Sequence, residues 1–201
     1  MWAKALVVTM LAALSLSAAD SVTLGMVLRG AAPVPSAVRH AFELETSQAV
    51  RQSMGESDVH LAWRDEASLA GSESFDRLIV VSFHGDCSTA MPKTLPGAGP
   101  LGSTSTMDGR VLPFIRIDCG RVKAVLAESG GWPQTLIPAG ILARALSRVA
   151  AHEIYHVLSE RKHHDEDGLF KAAYSPADLL APALRAERVP VGIVAEAGAA
   201  R

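Results

Sequence analysis

Cysteine is scarce in this chain. Only Cys87 and Cys119 are present, and neither has a second Cys at the short spacing of a thiolate-ligated metal site, so a Cys-bound zinc is not expected. Aromatic residues are few, at 5%, which leaves Val, Leu, Ile and Ala to build the core. An excess of one charge is also missing: 19 Lys and Arg stand against 21 Asp and Glu. No like-charged run exceeds the patch Asp165-Glu166-Asp167. That balance argues against a nucleic-acid binder and against a polybasic membrane-surface protein. No internal repeat is visible, and beyond the N-terminus no apolar run is long enough to cross a bilayer.

The N-terminus reads as a secretory signal peptide over residues 1–19. Lys4 gives a short positive region, Ala5 to Leu16 is apolar, and Ser17-Ala18-Ala19 supplies small residues for cleavage. The apolar stretch is short for a transmembrane helix, although an uncleaved anchor is the alternative. No Cys follows it, so a lipid-modified Cys is not available there. The expectation is a secreted or periplasmic protein with one domain over residues 20–201 and no stable membrane insertion after cleavage. An even pair of cysteines in an oxidising compartment then suggests a Cys87–Cys119 disulfide. Closing a loop of about thirty residues would contribute roughly 3–4 kcal/mol by restricting the unfolded chain.

What the sequence does hold is His152-Glu153-Ile154-Tyr155-His156. Residues i and i+4 share one helix face, so both imidazoles can reach one metal ion, and Glu153 beside the first ligand can serve as general base. The surrounding helix is expected from about Pro138 to Ser159. Ile141, Leu142, Ala145, Leu146, Val149, Ile154, Val157 and Leu158 give it a wide apolar face, as a buried central helix needs. An open catalytic zinc site takes three protein ligands. His163 and His164 follow the helix directly, and His164 is preferred because it keeps a short spacing to Gly168-Leu169-Phe170, the expected floor of the site. Glu187 is the alternative third ligand. Asp165 could orient a ligand imidazole or be a solvated loop charge. Tyr155 reads as packing, and His60 and His84 as structural or surface residues.

Elsewhere, residues 22–28 suggest a first strand. A helix is expected from Ser36, as N-cap, to Ser53, with Val38, Phe42, Leu44, Ala49 and Val50 as its apolar stripe and Gly55 ending it. Val59 to Trp63 alternates as a strand, and Arg77 to Phe83 is apolar on both faces and therefore central. After a Gly- and Pro-containing loop over 85–100, Asp108-Gly109 marks a hairpin between Leu101–Thr106 and Val111–Asp118. Arg121–Leu126 either extends the sheet or begins a short helix. Ser175 reads as an N-cap, with Pro176 as first helical residue and Asp178 in the first turn.

The order of His152-Glu153-Ile154-Tyr155-His156, His164-Asp165, Gly168-Leu169-Phe170 and Ser175-Pro176-Ala177-Asp178-Leu179-Leu180 resembles the metzincin, and in particular matrixin-like, zinc metallopeptidases over roughly residues 76–185. The spacing departs from theirs. Ser159 and Lys162 stand where the family has its Gly and third His, and Phe170 stands near the place of the Met-turn methionine. The resemblance implies an α+β, zincin-like fold. A small mixed sheet would pack on the N-terminal helix and the motif helix, with a short C-terminal helical subdomain. It also implies one Zn2+ ion on His152, His156 and His164, Glu153 as general base, and a peptide or protein substrate lying along Leu101–Thr106. In some members a Tyr at the place of Tyr174 stabilises the oxyanion. The alternative is a secreted zinc-binding or interaction protein without turnover.

Overall fold

The computed structural model describes residues 21–30, 34–54, 59–130, 133, 135–164, 166 and 168–181. The expected signal segment, Gly55, Asp165 and Glu187 lie outside the described residues. Five strands form one mixed sheet: β1 (Val22–Arg29), β2 (Val59–Asp65), β3 (Arg77–His84), β4 (Gly102–Met107) and β5 (Arg110–Asp118), in the order β2-β1-β3-β5-β4. The first four in that order run parallel, and β4 pairs antiparallel at the edge. With helices on the sheet, this is the α+β, small mixed-sheet architecture expected from the sequence.

The run Arg77 to Phe83 lies in the central strand, paired on both edges. Alternate residues of the strands face the helices: Leu24 and Met26, Ile79 and Val81, Ile115 and Ile117 are all 0–1% exposed. They meet Val38, Phe42, Ala49 and Val50 of α1 (Ser36–Met54) and the apolar side of α3 (Ala139–Ser159) in one core. Three aromatic residues meet here, with the Phe42 ring edge-on to both Trp63 and Phe83.

Two expectations for α1 need correction. Leu44 is 58% exposed, because it lies about 200° round the helix from Phe42. Thr46 takes the inward position instead and is fully buried. Ser36 is inside the helix rather than its cap, since the Arg39 N–H already bonds the Pro35 carbonyl at 2.9 Å.

The ambiguous stretch after β5 is a helix, α2 (Cys119–Ser129). Asp118 ends the strand and its carboxylate accepts from the Arg121 N–H at 3.0 Å, which starts the helix. Cys119 is bonded to Cys87 across 32 residues, with Cα atoms 5.1 Å apart. Beside the disulfide, Lys123 is wholly buried. Its ammonium donates to Asp86 Oδ2 at 3.0 Å and to the Ala90 and Ser88 carbonyls at 2.9 and 3.2 Å. The Asp86 carboxyl is held below its usual range by the Ser88 backbone N–H and by Lys123. These contacts fasten the loop that leads into β4, the strand opposite the motif.

The hairpin turn falls where Asp-Gly predicts it. Asp108 and Gly109 both have positive φ, 49° and 82°, as a two-residue type I′ connection requires. Within the hairpin the ladder shifts register: Thr104 pairs with Ile115, but Thr106 pairs with Val111. Pro113 lies in the stretch of β5 where the pairing slips, and proline has no N–H to give a ladder. Finally, α4 (Pro176–Leu180) begins with a reciprocal capping box between Ser175 and Asp178. Among the described residues no helix is long and apolar enough to cross a membrane.

Candidate metal centre

The helix α3 carries His152, Glu153 and His156 inward, 6%, 6% and 7% exposed. The helix runs through Ser159. The Ser159 hydroxyl bonds back to the Tyr155 carbonyl at 2.7 Å, and the chain reverses at Glu160, in the left-handed conformation with φ 54°. That reversal turns the Arg161 carbonyl onto His156 Nδ1 at 2.7 Å and returns His164 to the helix. His164 Nε2 then lies 3.3 Å from His156 Nε2, which is itself 3.0 Å from His152 Nε2. Nitrogens of these three histidines all fall within 4.8 Å of one another. His163 is exposed and is not part of this group.

The hydrogen bonds on the far sides of the rings decide what the near sides can do. His152 Nδ1 is 2.9 Å from the Leu169 carbonyl, and His156 Nδ1 faces the Arg161 carbonyl. A carbonyl can only accept, so each Nδ1 carries the proton and each Nε2 of the neutral ring is a bare acceptor. Burial, with the neighbouring imidazoles adding to it, lowers the His152 pKa to about 4 against the pull of the Leu169 carbonyl. Burial likewise lowers His156. Neutral acceptors facing each other at 3.0 Å cannot bond to one another, and a shared cation resolves that arrangement. Three imidazole nitrogens with carbonyl-anchored far sides are a donor set that suits zinc.

Glu153 is placed by the opposite wall. Thr104 on β4 donates its hydroxyl to Glu153 Oε2 at 2.6 Å. Gly102 on the same strand is equally specific. A Cβ there would lie 2.6 Å from Val149 Cγ1 and 2.8 Å from Glu153 Oε1, so only glycine leaves room for the carboxylate. Burial raises the Glu153 pKa to about 7, with the Thr104 hydroxyl opposing it. A carboxyl poised there both accepts and returns a proton near neutral pH. Nothing in the sequence singled out Gly102 or Thr104 as partners of Glu153; the only trace is the run of small residues Gly102-Ser103-Thr104-Ser105-Thr106.

The remaining expectations sort plainly. Phe170 is buried and stacks on Tyr155 with ring centroids 3.5 Å apart. Tyr155 is packing, as read from the sequence. His60 and His84 are exposed strand residues away from the group. Tyr174 is among the residues that face the cavity between α3 and β4. The hydroxyl donates to the Leu169 carbonyl and lies 3.2 Å from His152 Nδ1, behind the ring. Its phenol is pushed further toward the protonated form by burial and then by the Glu153 charge.

The three histidines and Glu153 open onto a cavity of about 460 Å3 between α3 and β4. Leu101, Val111, Val125 and Val149 supply apolar wall, and Arg161, Lys162 and Lys171 lie around it. No protein-family model and no curated protein matches the chain. Among solved structures, the crystal structure of an archaemetzincin from Methanopyrus kandleri is similar, with a TM-score of 0.48 and 10% identity over 82% of this chain and 88% of that one.

Proposed function

We propose that this protein is an exported zinc-dependent metallopeptidase. The observation that carries the reading is the convergence of His152, His156 and His164 Nε2 atoms beside a buried carboxylate in an open cavity. The three histidines would hold one zinc ion. Zinc there would supply Lewis acidity, activating water and polarising a carbonyl. Glu153 would take the proton from the attacking water and pass it to the leaving amine. Thr104 and Gly102 keep its carboxylate at one place while this happens. β4 is an edge strand, and its unpaired side can take an extended peptide backbone. Export is supported by the apolar segment at residues 5–16 and by the Cys87–Cys119 disulfide.

The test has two arms. Metal analysis of the protein should find about one zinc per chain, lost in His152→Ala. Glu153→Gln should keep the zinc and abolish peptide cleavage. A wild-type protein that binds zinc but cleaves nothing in a broad peptide library would instead be a zinc-binding protein without turnover. A folded protein that takes up no metal would end both readings.

A further inference from the structure

His152 is held from behind by two oxygens, where His156 has a single carbonyl on its Nδ1. Its Nδ1 lies 2.9 Å from the Leu169 carbonyl and 3.2 Å from the Tyr174 hydroxyl, and that hydroxyl donates to the same carbonyl. The three groups close a triangle, and the donation from Tyr174 to Leu169 fixes where the imidazole proton lies. Leu169 O can only accept. Tyr174 gives its one proton to Leu169, so the lone pairs of its oxygen are what it offers Nδ1. Both oxygens around Nδ1 are therefore acceptors, the proton must sit on Nδ1, and Nε2 keeps the free lone pair.

The backbone that presents Tyr174 is fixed as well. The next residue, Ser175, is the cap of α4 and exchanges hydrogen bonds with Asp178, which in turn pairs with Lys171. The phenol is thus delivered to the imidazole from a braced position.

We infer that Tyr174 is a positioning residue of the metal centre: together with the Leu169 carbonyl it locks His152 in the Nδ1–H tautomer and aims Nε2 at the ion. This rests on the reading of His152, His156 and His164 as ligands. It assigns Tyr174 a part in holding metal, carried out from the Nδ1 side of the ring.

Tyr174→Phe removes the hydroxyl and little else. Its zinc affinity, measured by competition with a chromophoric chelator, should fall about tenfold, the lower end for an outer partner of a ligand because Leu169 still accepts from Nδ1. Melting of the zinc-free variant should match the zinc-free wild type, and only the rise in Tm on adding zinc should shrink. Equal zinc affinity in the two proteins overturns the inference. So does a zinc-free Tm that falls in step with the affinity, which would make the phenol ordinary packing. Should Tyr174→Phe fail to fold, 15N NMR of the zinc-free wild-type protein decides the matter. A protonated Nδ1 and bare Nε2 at His152 are expected, and a dominant Nε2–H tautomer overturns the inference. A wild type that binds no zinc removes the metal centre itself, an outcome distinct from a wild type and a Tyr174→Phe variant that bind it equally.

Discussion

The two walls of the site are built in different ways. The imidazole wall is local: His152 and His156 are four residues apart on one helix, and His164 arrives eight residues later through a single reversal at Glu160. The carboxylate wall is made through space. Glu153 is held by Thr104, 49 residues away, and by the bare Cα of Gly102. Helical spacing alone places the first pair. The second placement depends on the strand order, on β4 lying at the edge beside β5, and on a register shift at Pro113. One wall can be read from spacing, and the other exists only once the sheet is assembled.

The largest effect should fall on the imidazole wall. If the local wall holds the metal, His164→Ala should lower zinc affinity by more than about a hundredfold, beyond the range for an outer partner. His163→Ala should leave it unchanged. Chelator competition on the two variants checks this. Equal losses from both would mean that the loop after α3 offers either histidine, and that the convergence at 3.3 Å is not selective.

The distant wall should respond in a different quantity. Gly102→Ala puts a Cβ against Val149 and Glu153, and the carboxylate has to move. Displacing a reacting group by about 1 Å costs on the order of a hundredfold in rate. The variant should therefore lose about that much in kcat/KM for a peptide substrate while binding zinc normally. Thr104→Val is the milder form of the same test. It removes one hydrogen bond to a charged group, worth about 1.5–3 kcal/mol, and should slow cleavage by roughly tenfold or more. Thr104→Ser keeps the hydroxyl and should restore most of the rate. Zinc loss in Gly102→Ala or Thr104→Val would show that the two walls are not independent.

The same division explains how much of the molecule was legible. Signals within one element were reliable. The apolar run 77–83 became the central strand, Asp108-Gly109 became the turn, and Ser175 with Asp178 became the capping box. Leu44 departs from the expected stripe because two residues on a 3.6-residue period carry it to the far side of the helix from Phe42. Residues 121–126 stayed ambiguous because what decides for helix is the Asp118 side chain bonding the Arg121 N–H. Lys123 gave no signal, since a buried ammonium needs acceptors from residues 86–90 that only the folded loop brings to it.

The reversal after α3 gives the smallest and most specific test. Ser159 stays helical, and the residue in the left-handed conformation is Glu160. A non-glycine residue there carries strain of about 1 kcal/mol or more. The Glu160 carboxylate offers little in return, since its pair with Arg77 at 3.7 Å leaves it 66% exposed. Glu160→Gly should relieve the strain, offset in part by a freer unfolded chain. The net gain should be under about 1 kcal/mol, read as a rise in Tm of at most about 2–4 °C, with zinc affinity unchanged. A fall in Tm would place real stabilisation in the Arg77–Glu160 pair. A fall in zinc affinity without a change in Tm would mean that the stiffness of this reversal, as well as its shape, keeps His164 beside His156.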